Sequence, residues 1–225
     1  TVALAEQVRS GRGMGGSPLV AEFPSSATRP VPPKLASLPA NIVNDSALRA
    51  QRAPAHSPLV DWGDAPDIGT FYGREQELQE LRGWLIEQRC RVIAVLGMGG
   101  MGKTTLTAQL ARQNVGHFAF VLWHSLLNAP SLPELLDGWL RTLSAQQLTQ
   151  TPTGLDAQLN LLFAYLRQHR CLLVLDNMES IMQGGERAGY YRTGYEEYGQ
   201  LLLRLGQSSH QSCLLLTSRE QPREL

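Results

Sequence analysis

Arg91-Val92-Ile93-Ala94-Val95-Leu96 runs straight into Gly97-Met98-Gly99-Gly100-Met101-Gly102-Lys103-Thr104, and this stretch decides the fold. The first six residues are a short β-branched apolar run, the pattern of a strand covered on both faces. The next eight fit G-x-x-x-x-G-K-[ST], the phosphate-binding loop, and the context agrees: a strand precedes it and a helical pattern with Leu106 and Leu110 follows. Each residue type has a physical reason. A phosphate chain is wrapped by backbone N–H groups, and side chains would block that approach. Gly97, Gly99, Gly100 and Gly102 leave the backbone bare and able to take positive φ. The helix starting near Lys103 points its positive dipole end at the phosphates, and Met101 and Thr105 complete the candidate binding set. Lys103 supplies a compact ammonium for the β- and γ-phosphates, and the Thr104 hydroxyl is a candidate Mg²⁺ ligand. The chain has only two lysines, Lys34 and Lys103, among its 20 basic residues. A protein that otherwise uses arginine for charge puts its one lysine of the folded part where a point charge is wanted.

Downstream, strand and helix patterns alternate. Phe118 to Trp123 reads as a strand; Ser131, with Pro133 and Glu134 behind it, opens a helix through a capping box. Thr153 and Asp156 mark a further helix start. Cys171 to Leu175 is a second fully apolar strand, a helix is expected near Tyr195 to Leu205, and Cys213 to Thr217 is another strand. Near-continuously apolar strands alternating with helices imply an α/β fold, a parallel sheet covered on both faces. Two strand ends carry chemistry. Leu172-Leu173-Val174-Leu175-Asp176 ends in a carboxylate that, beside a phosphate loop, is a candidate holder of Mg²⁺ with Thr104. Leu214-Leu215-Leu216-Thr217-Ser218-Arg219 would bring two hydroxyls and a cation near the γ-phosphate, able to tell a triphosphate from a diphosphate.

Upstream the composition shifts. Residues 1–60 hold eight of the thirteen prolines and one aromatic, Phe23. Such a stretch buries too little apolar surface to offset its ordering entropy, and it reads as a Pro/Gly-rich linker or disordered arm with a short helix around Ile42 to Gln51. Residues 61–225 read as the nucleotide-binding domain. The 225 residues carry 20 basic and 20 acidic groups, which argues against direct nucleic-acid binding through a strong positive field. No apolar run approaches a membrane span, no leader pattern opens the chain, and three cysteines without a C-x-x-C pair fit a reducing, cytoplasmic setting.

Phe71-Tyr72-Gly73-Arg74-Glu75-Gln76-Glu77-Leu78, then the glycine loop, LLVLDN and LLLTSRE, together resemble the NB-ARC module of the STAND signal-transduction P-loop NTPases, particularly bacterial members with WD40 or tetratricopeptide sensor repeats. The resemblance implies a three-layer α/β/α fold with a parallel sheet ordered 2-3-1-4-5, of which this chain would carry 2-3-1-4 and lack the fifth strand. It implies ATP/ADP and Mg²⁺ as cofactors, Tyr72, Gly73 and Arg74 as contacts to the adenine, and Arg219 as the sensor of the γ-phosphate. Lys103, Asp176 and Arg219 are then the candidate catalytic set of a slow ATPase. It further implies a switch: ADP holds a closed monomer, and exchange for ATP permits homo-oligomerisation, with sensor and effector domains in the same polypeptide.

The chain departs from the family in one residue and in extent. Where many members have a second acid after the strand's Asp, this chain has Asn177, an amide that cannot usefully accept a proton; Glu179 is the nearest substitute. The helical and winged-helix subdomains are expected outside the chain, with weaker nucleotide binding and no autonomous switching as the consequence. Two rival functions remain open: a P-loop kinase for a small acceptor, and an interaction module with a structural nucleotide. Cys90, Cys171 and Cys213 read as small buried hydrophobes on neighbouring strands. His117, His124 and His169 read as ordinary hydrogen-bonded residues, and the loop at 184–192 as a mobile segment or a partner contact.

Overall fold

The computed structural model describes residues 2–6, 19–22, 57–69, 71–148 and 150–225. Its strands are β1 (Val2–Glu6), β2 (Leu19–Glu22), β3 (Leu59–Asp61), β4 (Val92–Leu96), β5 (Phe120–Ser125), β6 (Cys171–Asp176) and β7 (Cys213–Ser218). They form one sheet in the order β2-β1-β4-β7-β6-β5-β3. The run β4-β7-β6-β5-β3 is parallel. β1 pairs antiparallel with β4, and β2 antiparallel with β1. The helices are α1 (Glu75–Arg82), extended by a π-helical turn at Gly83–Glu87, then α2 (Lys103–Asn114), α3 (Leu132–Leu143), α4 (Leu155–Gln168) and α5 (Glu197–Gln207).

Every residue of β4, β6 and β7 is buried, and the strand period of two sends alternate side chains into two cores. On one face Ala94, Leu173 and Leu216 meet Leu136 of α3, Phe163 of α4 and Leu201 of α5. On the other, Val95, Val174 and Leu215 meet Leu81 of α1 and Leu106 and Leu110 of α2. The fold is the three-layer α/β/α arrangement that the alternating pattern implies. The capping box forms: the Ser131 hydroxyl accepts a first-turn N–H of α3, while Glu134 accepts the Ser131 N–H at 3.0 Å. Ser131→Ala is expected to lower stability by about 1 kcal/mol. A urea unfolding curve with a lower midpoint and an unchanged slope would check it.

The strand order corrects the expectation. Counting from β4 as the first core strand, the order is 2-3-4-1 rather than 2-3-1-4: β7 lies between β4 and β6, with Leu215 opposite both Ile93 and Val174. A fully apolar strand carries no record of its lateral neighbours. The Thr217 hydroxyl near the end of β7 marks the arrangement, because beside β6 it donates to Asp176, the carboxylate that ends β6. Residues 2–6 and 19–22 also differ from the expected unstructured arm, being strands. The rest of residues 7–56, including the helix expected at Ile42–Gln51, lies outside the described residues. β3 was not foreseen and begins two residues ahead of the expected domain boundary.

After β3 the chain is fastened to the other core. Trp62, Ala65, Ile68 and Phe71 pack against it, the Arg112 guanidinium sits 4.5 Å over the Trp62 ring, and Arg112 donates to the Pro66 carbonyl at 3.1 Å. Cys90, Cys171 and Cys213 are buried and free, and burial pushes the thiol pKa of Cys90 up to about 11 and of Cys171 up to about 12. His169 packs edge-on against Phe120 at 5.3 Å. The 184–192 loop is tied down. Tyr191 donates to Glu224 at 2.9 Å, Arg223 N–H to the Gly189 carbonyl at 3.2 Å, and the Arg223 guanidinium lies over the Tyr190 ring. Among the described residues no helix is long and apolar enough to cross a membrane.

Candidate functional site

The carboxyl ends of β4, β7 and β6 converge on the loop at 97–102, the place where open parallel sheets take their ligands. The Gly97 N–H donates to the Ser218 carbonyl at 3.2 Å, which stitches the start of the loop to the end of β7. Gly100 and Gly102 sit at φ 78° and 76°, left-handed geometry that disfavours any side chain. Gly102 caps α2 without a side-chain hydrogen bond, so the first N–H groups of that helix face outward with no internal acceptor.

Lys103 is 8% exposed, and its Nζ donates to the Gly97 carbonyl at 2.8 Å and the Met98 carbonyl at 3.2 Å. A nearly buried ammonium that, among the described residues, is held only by carbonyl dipoles of its own loop is a charge in want of an anion. Across the loop lies Arg219. A Cβ added at Gly99 would stand 3.3 Å from Arg219 Nη2 and 3.4 Å from its Cζ, so the guanidinium lies close against the bare backbone of Gly99. Arg219 Nε donates to Glu179 Oε1 at 3.1 Å.

Asp176 is 3% exposed. Its Oδ1 accepts from Thr104 at 2.9 Å and from Thr217 at 2.6 Å, and its Oδ2 accepts from Asn177 Nδ2 at 3.1 Å. Burial raises its pKa above the usual carboxylate range; the Thr217 and Thr104 hydroxyls pull it back, and the Glu179 charge adds to the rise. Asp176 and Thr104 are the hard oxygen donors that Mg²⁺ takes, with phosphate oxygens and water filling its other positions. The donor set fits. Among the described residues no group of three His, Cys, Asp or Glu converges as an all-protein metal centre.

Lys103, Thr104, Asp176 and Arg219 thus meet around one loop. Thr217 and Ser218 are fully buried. The Thr217 hydroxyl is used up by Asp176 and by the Asn177 N–H at 3.0 Å, and the Ser218 hydroxyl accepts from the Glu220 N–H. Of the three residues expected near the γ-phosphate, Arg219 is the one whose side chain lies against Gly99 of the loop. Thr105 and Met98 are exposed and Met101 half-buried at the rim. Tyr72, Gly73 and Arg74 stand at the start of α1, which packs on α2. Gly73 and Arg74 both take positive φ, and the Tyr72 ring is 85% exposed. Sequence reasoning missed one member of the site, Ser125, and the partner of another, Glu179, which it read only as the nearest substitute for an acid at Asn177. Ser125, at the end of β5, accepts from Asn177 Nδ2 at 3.4 Å. Glu179 emerges as the ion-pair partner of Arg219, 40 residues away in sequence, a contact that no local pattern records.

Comparison with known proteins gives three findings. Residues 74–182 match the NB-ARC domain family model. The chain is similar to a WD repeat-containing protein, alr2800, of Nostoc sp. (strain PCC 7120), with 46% identity over 176 residues; the match takes in 75% of this chain and 14% of the relative's length. Among solved structures it is similar in fold to Cdc6p from Pyrobaculum aerophilum, with a TM-score of 0.50 and 21% identity, over 80% of this chain and 44% of that one.

Proposed function

We propose, on the premise that this chain belongs to the NB-ARC family over residues 74–182 and is a nucleotide-binding P-loop NTPase module, that it serves as a signalling switch of the STAND type, reading ADP against ATP with Mg²⁺. The observation that carries this reading is the Arg219 guanidinium lying against Gly99 at the loop that holds Lys103. A cation there meets a third phosphate and has nothing to meet in a diphosphate. Lys103 neutralises phosphate charge, the N–H groups of the loop and α2 wrap it, and Thr104 and Asp176 hold Mg²⁺. A bound triphosphate would supply the transferable phosphoryl group. Tyr72, Gly73 and Arg74 cover the adenine.

Hydrolysis is slow in this reading. The Asn177 amide stands where an acid would activate water, and it donates to Asp176 and Ser125 instead. The relative carries WD repeats by name, and this chain spans 14% of its length. We therefore place sensor and effector domains in the same cytoplasmic polypeptide, with oligomerisation on activation.

Calorimetric titration of the protein with ADP, ATP and GTP, with and without Mg²⁺, tests the reading. The expected result is adenine-nucleotide binding strengthened by Mg²⁺, with phosphate release far slower than exchange. Absence of binding by every nucleotide at millimolar concentration would overturn it. ADP release that depends on an added acceptor would assign a kinase, and identical hydrogen exchange with ADP and ATP a structural nucleotide.

A further inference from the structure

We propose that Glu179 sets the preference of this site between nucleoside diphosphate and triphosphate, by holding the Arg219 guanidinium in an ion pair that a γ-phosphate has to break. The inference rests on the reading of loop 97–104 as a nucleotide site.

The two partners are unequal. Glu179 lies on a single 3-10 turn, Met178–Ile181, that follows β6, and both Met178 and Ile181 are anchored in the core. The turn is fixed at its start by Asn177, at φ 61°, whose carbonyl accepts the Ser180 N–H at 3.0 Å. The Glu179 side chain is 20% exposed, whereas that of Arg219 is 63% exposed. Glu179 is the fixed post and Arg219 the arm that can leave it.

The arm already lies across the loop at Gly99, where a terminal phosphate would seek a cation. Arg219 Nε is spent on Glu179 Oε1 at 3.1 Å, while Glu179 Oε2 is buried without a hydrogen-bond partner. The acid is therefore half satisfied: Oε1 accepts one guanidinium bond, and Oε2 accepts from no donor among the described residues. A triphosphate competes with this carboxylate for the same positive charge, since an Arg219 guanidinium already paired to Glu179 through Nε attracts a γ-phosphate less strongly than a free one. A diphosphate has no phosphoryl group at that position and leaves the pair intact. The ion pair accordingly weakens ATP and spares ADP. That bias holds the resting module in its ADP form.

Removing the charge should free the arm. For Glu179→Gln, calorimetry with Mg²⁺ should show ATP bound about fivefold more tightly, the size of one partly exposed ion pair, with ADP affinity unchanged. Glu179→Ala, which leaves no buried amide, gives the same reading should the glutamine variant fold poorly. Arg219→Ala should weaken ATP at least tenfold and again spare ADP. Adding Glu179→Gln to Arg219→Ala should then change nothing, because no arginine remains to be released. An ATP-to-ADP affinity ratio unmoved by Glu179→Gln, in a protein that binds both, would overturn the inference. So would a gain for ATP that survives in full without Arg219, since that is plain charge repulsion. Failure of the parent protein to bind either nucleotide would overturn the underlying site reading instead, so the two failures are distinct.

Discussion

Lys103→Ala should weaken ADP and ATP together by about a hundredfold, the cost of about 2.7 kcal/mol for deleting a charge-assisted contact to phosphate. Both nucleotides suffer because the ammonium reaches phosphates that they share, in contrast to the triphosphate-only effect expected at Arg219. The fold should survive the change. Among the described residues Lys103 Nζ bonds only to the Gly97 and Met98 carbonyls of a loop whose glycines are largely open to water, and solvent can take over those acceptors. Lys103→Arg should not restore binding. A guanidinium is wider and planar, and it cannot occupy the nearly closed space in which a side chain only 8% exposed now bridges two adjacent carbonyls. Calorimetry on parent and variants decides it: equal affinity in parent and Lys103→Ala would remove Lys103 from the site.

Asp176→Asn should cost about thirtyfold in Mg²⁺-dependent nucleotide binding, one charge-assisted contact of about 2 kcal/mol, and change Mg²⁺-free binding little. Its effect on the unliganded protein runs the other way. Burial raises the Asp176 pKa above its ordinary value near 3.8, so the native state holds a proton that the unfolded chain releases. Between those two pKa values stability falls as pH rises, and at neutral pH the ionised carboxylate is a net cost without metal. The asparagine variant lacks that cost, and its amide oxygen still accepts from Thr104 and Thr217. Its metal-free thermal unfolding at neutral pH should match or exceed that of the parent. Mg²⁺ competes with the same proton. The metal-dependent gain in affinity should therefore appear only as pH rises through the raised pKa of Asp176, and fade on acidification sooner than an exposed aspartate would allow. A gain that does not change as the pH is lowered from neutrality would move the metal to another ligand.

Much of this site is legible in local sequence because its chemistry is local. The spacing of Gly97, Gly99, Gly100, Gly102, Lys103 and Thr104 encodes a turn, a bare backbone and a helix start that all depend on immediate neighbours. The apolar run ending at Asp176 places a carboxylate at a strand end by the same local logic. Thr217 shows where such reading stops. Its type and position at the end of an apolar strand suggest a hydroxyl offered to ligand, yet its partner is Asp176, 41 residues back, because β7 lies beside β6. Glu179 carries no local sign of its bond to Arg219 for the same reason.

The amino-acid order alone determined the α/β class, the phosphate loop, the carboxylate at Asp176 and the cation at Arg219, since each follows from side-chain periodicity or from backbone demands within a few residues. Lateral strand order, the pairing of β1 and β3 into the sheet, and the contact between Glu179 and Arg219 came only with the tertiary structure. Strands as uniformly apolar as Val92–Leu96, Cys171–Asp176 and Cys213–Ser218 can sit side by side in any order as far as burial is concerned. Hydrogen bonds between distant strand ends add a preference, since Thr217 reaches the buried Asp176 when β7 lies beside β6.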